Sequence, residues 1–163
     1  MAKNKEEKTN VMRVLEQKKI AYTAHTYPHE EGVAVDGVTV AKSMGFDPAA
    51  VFKTLVARGA SKQYYVFDVP VAENLDLKKA AKAVGEKSIE MIHQKELLPL
   101  TGYVHGGCSP VGMKKLFPTV FHETAKNLET MIVSAGKIGY QVELAPHDLA
   151  ALVRAKFADI IVE

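Results

Sequence analysis

Residues 101–115, TGYVHGGCSPVGMKK, have the most unusual composition in this sequence of 163 residues. They include four glycines, a Ser-Pro pair and the only cysteine of the chain. Because Gly106 and Gly107 have no Cβ, the backbone there can adopt positive φ and approach another molecule closely. Amide groups exposed in such a loop suit an oxyanion, a carboxylate or a phosphate. A glycine-rich β-bulge without chemistry would use the same residues, so both interpretations stay open.

The whole chain, residues 1–163, is predicted to form a single domain, because this length buries a core without disulfides. One cysteine forms no internal disulfide, and the sequence shows neither a signal peptide nor an apolar run that would span a membrane. We therefore expect a cytoplasmic protein with no membrane association. The formal net charge of +2 does not by itself indicate nucleic-acid binding, so contact with a polyanion requires a local cluster.

Short strand-like and helical patterns alternate along the rest of the chain. Residues 51–58 (VFKTLVAR) and 63–69 (QYYVFDV) are β-prone and separated by a turn, which predicts a hairpin. Residues 22–27 predict another strand, and Leu77–Val84 predicts a helix. The count is roughly seven or eight short strands and four or five helices, without regular βαβ alternation. The predicted fold is α+β, with a strongly curved, barrel-like, mixed or antiparallel sheet surrounded by helices.

Lys53 lies inside the first strand of this hairpin. Strict alternation places its side chain beside Val51 and Leu55, among apolar neighbours. A lone lysine in a strand most often extends its ammonium group to solvent, and periodicity alone favours that structural role. The alternative is a lysine held in a cleft for an anionic ligand.

Lys78, Lys79 and Lys82 form a basic cluster on the predicted helix Leu77–Val84. Such a cluster is usually only a solvated helix face. Beside a pocket, however, it would hold a phosphodiester backbone. We therefore name these lysines as candidate contacts for a nucleic-acid backbone.

No set of residues indicates a metal or a protein nucleophile. The six histidines show no ligand spacing, and His25 and His29 are separated by a strand end. The HExxH, CxxC, GxSxG, Walker and GxGxxG patterns are absent in the contexts that give them meaning. Cys108 would be a nucleophile only with a base brought near by the fold, and a small buried thiol is the favoured interpretation. We predict neither a metal nor a cofactor.

Four ordered motifs together resemble the YbaK/EbsC family of aminoacyl-tRNA editing proteins. They are VFKTLV at 51–56, TGYVHGGCSPVGMKK at 101–115, VSAGK at 133–137 and ELAPHDL at 143–149. The resemblance extends from the HTY at 25–27 through the last predicted strand, and the ordered set is far more specific than any single motif.

This resemblance implies a trans-editing deacylase that removes Cys from mischarged Cys-tRNA(Pro), with Cys-tRNA(Cys) as a further substrate. It implies that Lys53 is the central catalytic residue. The substrate-binding residues are Tyr27, Thr54, Gly106 and Ser134 by the same resemblance, with Gly107 added as the second member of the glycine pair. The motif does not require cysteine at position 108, which argues against a catalytic thiol there.

The resemblance also implies that the substrate supplies the nucleophile. A cysteinyl ester carries a thiol with a pKa of roughly 8.5, tethered to the carbonyl group that it attacks. The partners implied are aminoacyl-tRNA and, as a further candidate, prolyl-tRNA synthetase. Two other interpretations stay open: a non-catalytic, tRNA- or synthetase-binding regulator of EbsC type, and a metal- or cysteine-dependent hydrolase.

Overall fold

The computed structural model describes residues 8–30 and 33–163. Their helices are α1 (Asn10–Gln17), α2 (Gly37–Ser43), α3 (Leu77–Val84), α4 (Gln94–Thr101) and α5 (Pro146–Val153). Their strands are β1 (Thr23–Thr26), β2 (Phe52–Gly59), β3 (Tyr64–Pro70), β4 (Ile89–Met91), β5 (Thr119–His122), β6 (Met131–Ser134), β7 (Tyr140–Leu144) and β8 (Lys156–Ala158). Short 3-10 helices cover Pro48–Ala50 and Glu123–Asn127. Among the helices described, none has the length and apolar character needed to cross a bilayer.

The strands form two sheets. The smaller is antiparallel with the order β1-β7-β6, and the larger has the order β4-β2-β3-β5-β8 with parallel pairing at β3–β5 and β5–β8. The α+β prediction is confirmed, but the strands described close no barrel. In that part of the chain the sheets are joined by one isolated parallel bridge, Val51–Ile132. The expected barrel-like sheet is therefore replaced by two separate sheets that meet at the start of β2.

Residues at both ends of helix α3 fix where this helix begins and ends. The Asp76 carboxylate accepts hydrogen bonds from the amides of Lys78 and Lys79 at 2.9 and 3.0 Å, which caps α3. Gly85, with φ of 77°, ends the same helix in the left-handed conformation that glycine adopts at little cost. The predicted bounds Leu77–Val84 are confirmed.

The glycine-rich segment 101–115 does not begin with a strand. Helix α4 continues past Pro99, which removes one amide donor, and ends at Thr101 because Gly102 has φ of 89°. The following loop is held from within, since the Tyr103 hydroxyl donates a hydrogen bond to the carbonyl of Val111. Residues 103 and 104, an apolar pair that would suit the start of a strand, therefore belong to a loop in which Tyr103 packs in the core and Val104 is exposed.

The two faces of the larger sheet serve different parts of the molecule. Phe67 and its neighbours on one face of β3 share a buried cluster with Ala80 of α3. Val66 on the opposite face packs in the main core together with α1, α5 and residues of the segment 101–115. Side chains alternate along a strand, so Asp68 lies on the same face of β3 as Val66.

Candidate active site

A cavity of about 370 Å³ lies where the two sheets meet. Its walls come from the start of β2, from β6 and β7, from the N-terminal part of α2 and from the segment 101–115. This volume is within the range of pockets that bind a small molecule or the end of a larger one. The chemistry of the cavity therefore depends on side chains from parts of the chain that are distant in sequence.

The structure brings five of the six predicted site residues to this cavity. They are Tyr27, Lys53, Thr54, Gly106 and Ser134. Gly107 is not part of the lining: a Cβ there would lie 3.1 Å from the amide nitrogen of Ile138 and 3.3 Å from the carbonyl carbon of Lys137. The second glycine of the pair is thus explained by close packing of the loop on the turn after β6.

Gly106 has a different constraint. Its φ is +89°, and an added Cβ would approach the Cβ of Ala34 to 2.7 Å. Both the backbone conformation and the lack of space exclude a side chain. Glycine therefore lets the segment 101–115 pass close to the residues before α2, which form the facing wall of the cavity.

Lys53 is one of the residues that line this cavity. Burial lowers the pKa of Lys53, and the carboxylates of Asp36 and Glu73 act in the opposite direction. Asp36 also lines the cavity, and it caps α2 by accepting a hydrogen bond from the Thr39 amide at 3.1 Å. A partly desolvated ammonium group interacts more strongly with an anion than one in bulk water.

Next to Lys53, Thr54 connects the cavity to a buried acid. The Thr54 hydroxyl donates to Oδ1 of Asp68 at 2.5 Å, and Asp68 is fully buried. Oδ2 of Asp68 has no hydrogen-bond partner among the residues that the structure describes. Burial raises the pKa of Asp68 to about 7, although the Thr54 hydrogen bond acts to lower it. Sequence reasoning did not identify Asp68; its signal was an acidic residue inside an otherwise apolar strand.

Ser134 and Gln141 supply polar groups from the smaller sheet. They are cross-strand partners in the β6–β7 pair, and both line the cavity. The Ser134 oxygen accepts a hydrogen bond from the Gly136 amide at 3.1 Å. Oε1 of Gln141 is buried and has no hydrogen-bond partner in the described part of the chain. Gln141 was also missed from the sequence.

Cys108 lines the cavity but is poorly suited to act as a nucleophile. Burial, together with the nearby Asp68 carboxylate, raises the pKa of this thiol to about 12. The reactive form of cysteine is the thiolate, which this environment disfavours. Within residues 8–30 and 33–163, no three His, Cys, Asp or Glu side chains form a potential metal site.

The basic cluster predicted on α3 lies outside the cavity. None of its three lysines is part of the lining, and α3 packs on the face of the larger sheet opposite Asp68. Lys79 forms ion pairs with Asp159 at 3.0 Å and Glu163 at 3.4 Å. The cluster is therefore reduced to Lys78 and Lys82, one helical turn apart on one face.

Comparison with known proteins identifies the family. Residues 32–152 match the model of the aminoacyl-tRNA editing domain. The chain belongs to this editing-domain family. The full-length resemblance is also close: EbsC of Enterococcus faecalis (strain ATCC 700802 / V583), assigned as a Cys-tRNA(Pro)/Cys-tRNA(Cys) deacylase, is 46% identical over 161 residues, which cover 98% of each chain. The similarity to the YbaK/EbsC group is confirmed.

Solved structures show the same editing-domain fold. A protein assigned as a trans-editing enzyme for prolyl-tRNA synthetase is 25% identical, with a TM-score of 0.79 and coverage of 94% of this chain and 95% of that one. A hypothetical protein at 18% identity has a TM-score of 0.82 and covers 93% and 99% of the two chains. The second similarity concerns the fold alone.

Proposed function

We propose that this protein is a trans-editing aminoacyl-tRNA deacylase that removes Cys from Cys-tRNA(Pro), with Cys-tRNA(Cys) as a second substrate. The observation that carries the proposal is that Lys53, Thr54, Ser134 and Gly106 line one cavity. Family membership and the assignment of the E. faecalis relative support the choice of substrate.

The cavity matches the chemistry of an aminoacyl ester. Such a substrate presents a carbonyl group that becomes an oxyanion, an α-amine that donates hydrogen bonds, and a neighbouring phosphate. In our proposal Lys53 orients the ester and stabilises the negative charge that develops on its carbonyl oxygen. The Ser134 hydroxyl, from the opposite sheet, accepts a hydrogen bond from the amine.

The nucleophile in this proposal is the thiol of the substrate. The sulfur attacks the ester carbonyl carbon, a C–S bond forms, the ester C–O bond breaks, and the products are free tRNA and a four-membered thiolactone. Ring strain opposes this step, so the site must hold a reactive rotamer of the substrate. The buried Cys108 thiol does not compete, because its pKa of about 12 keeps it protonated.

The test is deacylation of tRNA(Pro) charged with Cys, Pro or Ala, with the protein at catalytic concentration. We expect several turnovers with the cysteinyl substrate and little release from the other two. A non-catalytic regulator of EbsC type would bind the charged tRNA without releasing the amino acid. Binding without turnover would therefore contradict the enzymatic proposal.

We also propose that selection of tRNA(Pro) depends on a partner, because the cavity is sized for the aminoacyl end rather than for the body of a tRNA. Prolyl-tRNA synthetase is the partner that the solved trans-editing relative indicates. Charged tRNA is a cytoplasmic substrate, so the cytoplasm is the compartment in which we propose the protein acts.

Lys78 and Lys82 are expected to contribute a weak contact with the tRNA backbone. Replacing both with Gln should reduce the slope of log K against log salt by up to about 1.5, because each phosphate contact contributes roughly 0.7–0.9. Lys79→Gln is the matched control, since its ammonium group is already paired with Asp159 and Glu163. Filter binding at several salt concentrations gives the slope. An equal slope in the parent and the double variant would mean that these two lysines only face solvent and do not contact the tRNA.

A further inference from the structure

We propose that Asp68, acting through the hydroxyl of Thr54, accepts the thiol proton of the substrate during the attack. The inference rests on the function proposed above and adds the base that the sequence did not reveal. Asp68 does not line the cavity, so its role is to position and activate the cavity-lining Thr54.

The hydrogen bond between the two residues fixes the polarity of Thr54. A threonine hydroxyl has one proton and two lone pairs, and an ionised carboxylate only accepts. The hydroxyl proton points to Oδ1 of Asp68 at 2.5 Å, so Thr54 presents lone pairs to the cavity. Thr54 is therefore set to accept a hydrogen bond from a donor such as the S–H group of a cysteinyl ester.

Asp68 has the properties of a proton acceptor rather than a structural carboxylate. A structural buried carboxylate normally has partners for both oxygens, whereas Oδ2 here has none among residues 8–30 and 33–163. Burial raises its pKa to about 7, near the value at which a general base is most effective at neutral pH.

Among the residues that the structure describes, the groups that face Asp68 from the neighbouring elements carry no opposite charge. Strand β2 faces it with Thr54, strand β5 with Phe121 in register, and the segment 101–115 with the thiol of Cys108. Cys108 is the titratable group among these neighbours, and its pKa of about 12 keeps it neutral through the physiological range. Protonation of Asp68 is therefore the event that changes charge behind the cavity wall.

The proton transfer balances as follows. The thiol proton passes to Oγ1 of Thr54 while the proton of Thr54 passes to Oδ1 of Asp68. The sulfur forms its bond to the carbonyl carbon, the ester C–O bond breaks, and the departing ribose oxygen takes a proton from solvent. Asp68 then returns its proton through Thr54 to solvent. The net change moves one proton from sulfur to the ribose hydroxyl, with no oxidant or reductant.

The test is single-turnover deacylation of Cys-tRNA(Pro) between about pH 6 and pH 9, corrected for hydrolysis without protein. Asp68→Asn and Thr54→Val should each lower the rate by about 100- to 1000-fold at pH 7, as loss of a general base does. The double variant should lose no more than either single one, because the residues act as a unit. Thr54→Ser should recover most of the rate lost in Thr54→Val.

The pH profile separates a proton acceptor from a structural residue. Above about pH 8.5 the substrate thiol ionises by itself, so the deficit of Asp68→Asn should shrink there. Thr119→Val is the matched control, because this buried threonine donates to the Phe117 carbonyl outside the cavity. If Asp68→Asn does not fold, the rate lost in Thr54→Val is measured over the same pH range instead. A loss that shrinks above about pH 8.5 would again indicate proton transfer.

Three outcomes would overturn the proposal. If the parent is active and Asp68→Asn keeps the parental rate at pH 7, the relay is wrong and the deacylase function stands. If the deficit stays constant with pH, Asp68 only supports the structure. If the parent releases no Cys at any pH, the proposed function fails and the relay fails with it.

Discussion

Lys53→Ala is expected to lower the rate of Cys-tRNA(Pro) deacylation by at least about 100-fold, as removal of a group that stabilises an oxyanion does. Lys53 lines the cavity, and burial lowers the pKa of its ammonium group. Charge placed in a partly desolvated site acts more strongly on the transition state than charge in water. The measurement is kcat/KM with cysteinyl-tRNA(Pro), together with a thermal melt of each protein.

The same variant should remain folded. Burial opposes the charge of Lys53, so its replacement removes a desolvation cost and should not lower the melting temperature. Lys126→Ala, an exposed lysine outside the cavity, is the matched control and should keep the parental rate. A parental rate in Lys53→Ala would mean that this lysine only covers apolar surface.

Ser-tRNA(Pro) is expected to be deacylated at least about 1000-fold more slowly than Cys-tRNA(Pro). The two substrates differ by one atom, yet the hydroxyl is essentially un-ionised at neutral pH. Asp68, with a pKa of about 7, takes a proton from a thiol of pKa roughly 8.5 far more readily than from an alcohol, so the seryl ester gains much less from this base. In contrast, Cys108→Ala and an added chelator should leave turnover of the cysteinyl substrate unchanged.

Product analysis completes this prediction. Attack by the substrate thiol yields a thiolactone first, whereas attack by water yields free cysteine directly. Rapid release of Ser, or loss of activity in Cys108→Ala, would show that the protein supplies the nucleophile or activates water. Pre-steady-state sampling with rapid acid quench distinguishes the two products before the thiolactone hydrolyses.

Features with local causes were predictable from the sequence. Helix α3 has its cap at Asp76 and its stop at Gly85 within one short segment, and its predicted bounds match the structure. The hairpin of β2 and β3 likewise depends on neighbouring residues. The α+β class followed from counting such elements.

Features that depend on distant contacts were not predictable. The smaller sheet pairs β1 with β7, and its hydrogen bond between His25 and Glu143 joins residues 118 positions apart. Lys79 was grouped with the candidate backbone contacts, because its carboxylate partners lie at the other end of the chain and its ion pairs were not visible in the sequence. Asp68 was not predicted as a site residue, because its role depends on the β2–β3 register that places it opposite Thr54. Burial and register, rather than residue type, decided these cases.

The buried carboxyl of Asp68 makes the free energy of unfolding depend on pH. Its pKa rises from 3.8 to about 7 on folding, so the folded chain binds this proton more tightly than the unfolded chain. The resulting stabilisation is complete below about pH 4, falls as the pH rises and is gone above about pH 7. The full shift corresponds to at most about 4 kcal/mol.

Asp68→Asn has no such titration, so its stability relative to the parent should increase from pH 4 to pH 8. Urea unfolding at both pH values measures this difference, and an equal difference at the two would contradict it. With a pKa of about 7, part of the Asp68 population is ionised at neutral pH, so this acid stabilises the fold less there than at pH 4. Selection for stability at neutral pH alone would not favour such a half-partnered acid in the core, whereas selection for activity would.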